Sequence, residues 1–161
     1  MLHAALLALA VSALPTYGPI PAPSDAPLPF PVPTGANEAL IVNSGSTNTQ
    51  GYRIFVRSDG SVSLALALGD GAGAPRRVAK TLVTRFLGDL RAAGNLAKLA
   101  GRPCVKSVSF GSSTRVSYRG MTSPDLSCPA SVRARALSID AAAIANGGGG
   151  VTSLPMPRRP L

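Results

Sequence analysis

YRIFVRSDGSVSLALAL, residues 52–68, decides how the rest of the chain is read. Tyr52, Ile54 and Val56 alternate with Arg53, Phe55 and Arg57, and Val62, Leu64, Leu66 and Leu68 alternate with Ser61, Ser63, Ala65 and Ala67. Such period-two patterning belongs to strands that bury one face, because successive side chains leave opposite sides of a pleated backbone. The turn fixes the register. A two-residue Asp59-Gly60 turn sets Val56 opposite Ser63 and mixes the faces. A three-residue loop, Ser58-Asp59-Gly60, pairs Val56 with Val62, Ile54 with Leu64 and Tyr52 with Leu66, and puts Gly60 where left-handed backbone is required. The second register is the one expected.

Upstream, Ala39-Leu40-Ile41-Val42 reads as a further short strand, followed by the polar loop NSGSTNTQG, residues 43–51. Downstream, Pro75-Arg76-Arg77 reads as a helix start. Val78, Leu82, Phe86 and Leu90 recur every four residues behind it, and Leu87 and Ala93 widen the stripe. Gly94 is the expected stop, with one more turn over residues 95–99. A second hairpin is expected to open at Cys104 and turn at Gly111-Ser112-Ser113. It would pair Phe110 with Thr114, Val108 with Val116 and Lys106 with Tyr118. Ser123-Pro124-Asp125 is a turn signal. A last amphipathic helix is expected over residues 130–146, with Val132, Ala136, Leu137 and Ile144 inward. The order is β-β-β-α-β-β-α. The expected fold class is α+β: a small antiparallel sheet with two helices packed on one face, and one disulfide.

The ends read differently from the middle. Residues 2–14 are apolar but too few to span a bilayer, which needs about 20 residues. With small residues Val11-Ser12-Ala13 before a cleavage point, residues 1–13 fit a signal peptide, although no Lys or Arg precedes the run. No transmembrane helix is then expected in the mature chain. Prolines recur almost every second residue from 15 to 33, so residues 14–37 read as an extended proline-rich linker. Residues 38–146 form the α+β domain. Residues 147–161, opening on four glycines, read as a disordered tail. The expected location is periplasmic or extracellular. There, an even count of two cysteines, Cys104 and Cys128, reads as a structural disulfide.

The chain carries a net charge of +9 with only seven acidic residues. Such a balance favours anionic partners, but no dense Lys/Arg run or basic helix accompanies it. The only histidine, His3, lies inside the signal peptide. That removes Ser-His-Asp and Cys-His catalysis from the mature chain and leaves two cysteines short of a zinc ligand set. A serine–lysine dyad through Lys80, Lys98 or Lys106 lacks any surrounding motif. The run GDGAGAP, residues 69–75, lacks the spacing and the Lys-Ser/Thr of a phosphate loop. No catalytic residue, metal or cofactor is therefore expected.

The stretch CVKSVSFGSSTRVSYRGMTSPDLSCP, residues 104–129, resembles a segment of an uncharacterised family of secreted bacterial proteins. In that family a cysteine, a K-S-x-S-F-G-x-S-T hairpin and an S-P-D-L-S-C close recur. Residues 43–64 also look like its first hairpin. The resemblance implies an exported domain with a Cys104–Cys128 bridge, and brings no activity or ligand. Lys106, Ser107, Phe110 and Asp125 are expected to set turns, caps and disulfide geometry.

Two binding functions follow. A non-catalytic exported domain would engage a protein or peptide partner in the envelope or outside the cell. Alternatively, the outward sheet face, with Arg53, Phe55, Arg57, Arg115 and Arg119 as candidate binding residues, would hold a polyanion or an anionic envelope component through arginine forks, with Phe55 stacking. A histidine-free hydrolase is the weaker third reading.

Overall fold

The computed structural model describes residues 30–66, 75–107 and 109–147. The expected signal peptide, residues 14–29 of the linker, the loop 67–74, Val108 and residues 148–161 lie outside the described residues. The chain runs β1 (Glu38–Asn43), β2 (Tyr52–Arg57), β3 (Ser61–Leu66), β4 (Arg76–Arg77), α1 (Lys80–Ala93), a 3-10 turn (Leu96–Lys98), β5 (Thr114–Tyr118), β6 (Met121–Thr122) and α2 (Val132–Ala145). The strands form one antiparallel sheet in the order β4-β3-β2-β1-β5-β6. The α+β class holds, with helices and one sheet sharing a core.

β2 and β3 pair in the expected register, Val56 with Val62, Ile54 with Leu64 and Tyr52 with Leu66. Gly60 closes the turn at φ +88°, and Asp59 accepts from the Ser61 amide at 2.9 Å and from its hydroxyl at 2.7 Å. Ala39 and Ile41 of β1 continue the inner face, followed by Val116 and Tyr118 of β5. Val83, Phe86, Leu87 and Leu90 of α1 pack onto it with Leu137, Ala141 and Ile144 of α2, all buried. Between the helices, Asp140 is only 3 % exposed, and Arg85 holds it with Nε at 3.0 Å and Nη2 at 2.5 Å.

Four local expectations need correction. Arg76 and Arg77 do not open α1: they pair with Val62 and Ser61 as an edge strand. From there Arg76 Nη2 reaches the carbonyl of Ala145 at 2.9 Å, satisfying the open end of α2 that a helical Arg76 would leave bare. The second hairpin does not open at Cys104. β5 pairs instead with β1, at Ile41–Val116 and Asn43–Thr114, and turns at Arg119 and Gly120 into the two-residue β6. No strand falls within the described residues of 102–113, so Lys106 and Phe110 have no partners on β5. The edge they would have taken is occupied by residues 123–127. Val132, expected inward, is 87 % exposed, because Ser131 caps the helix through the Ala134 amide and only Ala134 brings the first turn to the core.

The fourth correction concerns the outer sheet face. Leu40, Phe55 and Ala65 are buried there as well as the inner residues. Phe30 lies against Phe55, ring centroids 5.8 Å apart. The following residues, expected as part of a tether, bind the sheet. The Pro33 carbonyl accepts from the Gly120 amide at 2.7 Å, Ala36 from the Tyr118 hydroxyl at 3.1 Å, and Asn37 from the Ser58 amide at 2.8 Å.

Candidate functional site

The sequence-derived binding residues separate into three fates. Arg53 and Arg115 come together: both pair with Val42, one from each side, so they stand on the outer face two strands apart, about 10 Å between backbones. Phe55 is not available for stacking. At 6 % exposure it is covered by Phe30, and the Arg57 guanidinium lies 4.9 Å from its ring centroid. Arg119 sits in the β5–β6 turn at φ +50°, with its guanidinium 5.4 Å from the Tyr118 ring, apart from the other arginines. Alternation alone placed Phe55 on an open face; its cover comes from 25 residues earlier in the chain, where no periodicity announces it.

Cys104 and Cys128 are disulfide-bonded, Cα atoms 6.1 Å apart. The bridge closes a loop end built from two stretches, 44–51 and 104–113. Asp125 anchors it: its carboxylate takes an ion pair from Lys106, and Oδ1 accepts from the Thr114 and Ser127 amides at 3.0 and 2.9 Å. Partial burial opposes the charge, but the Lys106 ammonium and the Ser127 and Thr114 donors override it and hold the carboxyl at about 2. Lys106 also donates to the Ser112 carbonyl at 2.8 Å. The expectation that Lys106 and Asp125 set local geometry fits these bonds.

The two stretches are stitched together. Ser44 N donates to the Ser113 carbonyl and Ser113 N to the Ser44 hydroxyl, both at 2.9 Å. The Ser109 carbonyl accepts from Asn48 N at 3.1 Å and from the Ser46 hydroxyl at 2.9 Å. Within 44–51, Ser46 and Thr49 exchange amide bonds, and the neck is pinched where Gly45, at φ +66°, meets Gly51: a Cβ on Gly45 would lie 2.4 Å from the Gly51 nitrogen. The loop borders a cavity of about 420 Å³ lined by Ser44, Ser46, Thr47, Asn48, Thr49, Gln50 and Gly51. Phe110, next along from the stitched Ser109, is 71 % exposed, and Val105 is fully exposed. Sequence reasoning passed over 43–51 as a polar loop. Its density of hydroxyl and amide side chains between two glycines was the signal available.

A second cavity, about 410 Å³, lies at the start of α2 between Arg102, residues 129–132 and Arg135. The outward stripe of α2 continues from it. Val132 and Ile139, the latter 59 % exposed, stand seven residues apart and therefore on one face, with Arg135 between them and Ala142 beyond. α1 is different: Lys80, Thr81, Thr84, Arg85 and Arg91 turn to solvent. Among the described residues no three His, Cys, Asp or Glu side chains gather closely enough to hold a metal, and no helix is long and apolar enough to cross a membrane. Compared with known proteins, the chain matches no family model, no curated protein and no solved structure.

Proposed function

We propose that the chain is a non-catalytic domain, exported from the cytoplasm and kin to the secreted bacterial proteins its segment 104–129 resembles, which engages a protein or peptide partner through the outward face of α2. The observation that carries this is the pair of large apolar side chains, Val132 and Ile139, on the outward face of that helix. A surface helix keeps apolar residues on the core side and polar ones outside. α2 meets the core with Leu137, Ala141 and Ile144 and still turns Val132, Ile139 and Ala142 outward. Arg135 stands within the stripe and Arg133 beside it, so the complementary surface is apolar and carries an acidic group opposite Arg135. The disulfide supports an oxidising compartment. The β5 edge, closed by residues 123–127, offers little to a peptide adding itself as a strand.

The test is a photo-crosslinking amino acid at Ile139, with Thr84 on the outward face of α1 as control, in the extracytoplasmic fraction of the native host. One defined adduct is expected at 139 and none at 84. Adding Val132→Asp should abolish it. Equal labelling at both positions, or none at 139, removes the proposal.

Arg53 and Arg115 flanking Val42 keep polyanion binding as a second reading, through arginine forks alone now that Phe55 is covered. It requires affinity that falls steeply with salt.

A further inference from the structure

We infer that the loop 44–51, together with the neighbouring Phe110, is a binding site for a neutral oligosaccharide. The site lies on loops at the end of the sheet and is independent of the face of α2.

The feature there is a shallow, open depression of about 420 Å³, suited to one face of a sugar rather than to a buried ligand. Every lining residue is uncharged, and all but Gly51 present a hydroxyl or a carboxamide. Such groups both donate and accept, as the hydroxyls of a sugar do. A charged ligand would meet no counter-charge from the lining, and the nearby ammonium of Lys106 is already paired with Asp125. Internal structure spends only part of this polar inventory. The Ser44 hydroxyl bonds Gly45 and Ser113, and the Ser46 hydroxyl bonds Ser109. The side chains of Asn48, Thr49 and Gln50 are exposed and make no hydrogen bond to other described residues, so they remain for a ligand.

Phe110 supplies the other half of sugar recognition. A pyranose ring is polar around its rim and presents C–H groups on its faces, which an aromatic face attracts. At 71 % exposure the ring is open to such a contact. Phe110 does not line the depression itself, but the backbone on either side of it is held beside the loop: the Ser109 carbonyl by Asn48 N and the Ser46 hydroxyl, and the Gly111 amide by the Ser107 carbonyl at 2.6 Å. The disulfide, the Lys106–Asp125 pair and the Gly45–Gly51 neck fix both stretches before any ligand arrives. The ordering cost of binding is low, which weak sugar contacts need.

The experiment titrates the full chain with neutral trisaccharides (β-1,4-glucose, β-1,4-N-acetylglucosamine, α-1,4-glucose and α-1,6-mannose series) and with galacturonic acid trimer as the charged control, following amide shifts by NMR. At least one neutral trisaccharide is expected to move the amides of residues 46–50 and 110 at up to ~10 mM. Phe110→Ala and Asn48→Ala should each weaken binding roughly tenfold or more, while Phe110→Tyr retains it. Both sites are on the surface, so circular dichroism should be unchanged. No shift at these amides with any neutral trisaccharide, an equal response to the acidic trimer, or unaltered binding in Phe110→Ala each overturns the inference. The α2 crosslink is indifferent to all three.

Discussion

At the scale of single residues, Asp125 does the most with one side chain. It joins the loop 104–113 to the start of β5 by binding Lys106, Thr114 N and Ser127 N at once. Because these donors favour the ionised form, the folded carboxyl titrates near 2, below its unfolded value near 3.8. A depressed carboxyl adds stability above the unfolded value and loses it as pH falls through the folded one. The window is therefore about pH 4 down to about pH 2. Allowing for solvent screening, the gain is about 1 kcal/mol. Asp125→Asn should be less stable than the parent by about that amount at pH 7, and the gap should close across the window. Urea denaturation at a series of pH values measures it; a gap that ignores pH between 4 and 2 would mean the carboxylate charge is not used. Asp125 was legible as a turn-setting residue because Ser-Pro-Asp punctuates any chain. Phe55 was not, since nothing in a strand's alternation reveals that an outward position will be covered.

At the scale of elements, the two hairpins divide on what the sequence could convey. The β2–β3 hairpin is local: a short loop with glycine at its left-handed position and two clean alternations leave one register that keeps the faces apart. β5 carries equally clean alternation, but two segments could pair with it, and local pattern has no preference between them. The choice falls to β1, whose edge would otherwise be left open. The far edge of β5 is then closed by an irregular segment. Ser123 N donates to Val116 O at 2.9 Å and the Ser123 hydroxyl accepts from Val116 N at 3.0 Å, while Leu126 N donates to Thr114 O at 2.7 Å. A buried serine thus replaces a strand partner, sealing an edge that would otherwise recruit another chain. Ser123→Ala should leave the Val116 amide buried without an acceptor and cost about 1–2 kcal/mol. Hydrogen exchange reads this directly: the Val116 amide should lose protection while the amides of β2 and β3 change only with global stability. Uniform loss across the sheet would assign Ser123 to packing instead.

At the scale of the molecule, the outer face of the sheet is partly covered where alternation promised it open. The helices account for the inner face. The outer face has a row running Ser63, Phe55, Leu40 and Ser117 across four strands, and its two large apolar members are buried. Phe30 is the described residue that packs on it, delivered by a stretch hydrogen-bonded through Pro33, Ala36 and Asn37. Residues 30–37 should therefore behave as a part of the folded unit, although proline spacing reads them as linker. Two chains decide this, one beginning at residue 30 and one at residue 38. The shorter loses three hydrogen bonds and the cover of Phe55, which together should cost about 3 kcal/mol. It should also bind a hydrophobic dye and associate at high concentration, because Phe55 and Leu40 then form an exposed apolar patch between Arg53, Arg57 and Arg115. Equal urea midpoints would instead make residues 30–37 a tether resting on the sheet. The boundary also bears on polyanion binding, since only the shorter chain frees Phe55 to stack beside its arginines. If the longer chain binds a polyanion as tightly as the shorter, the arginines act alone; if only the shorter binds, the segment that opens the domain masks that surface.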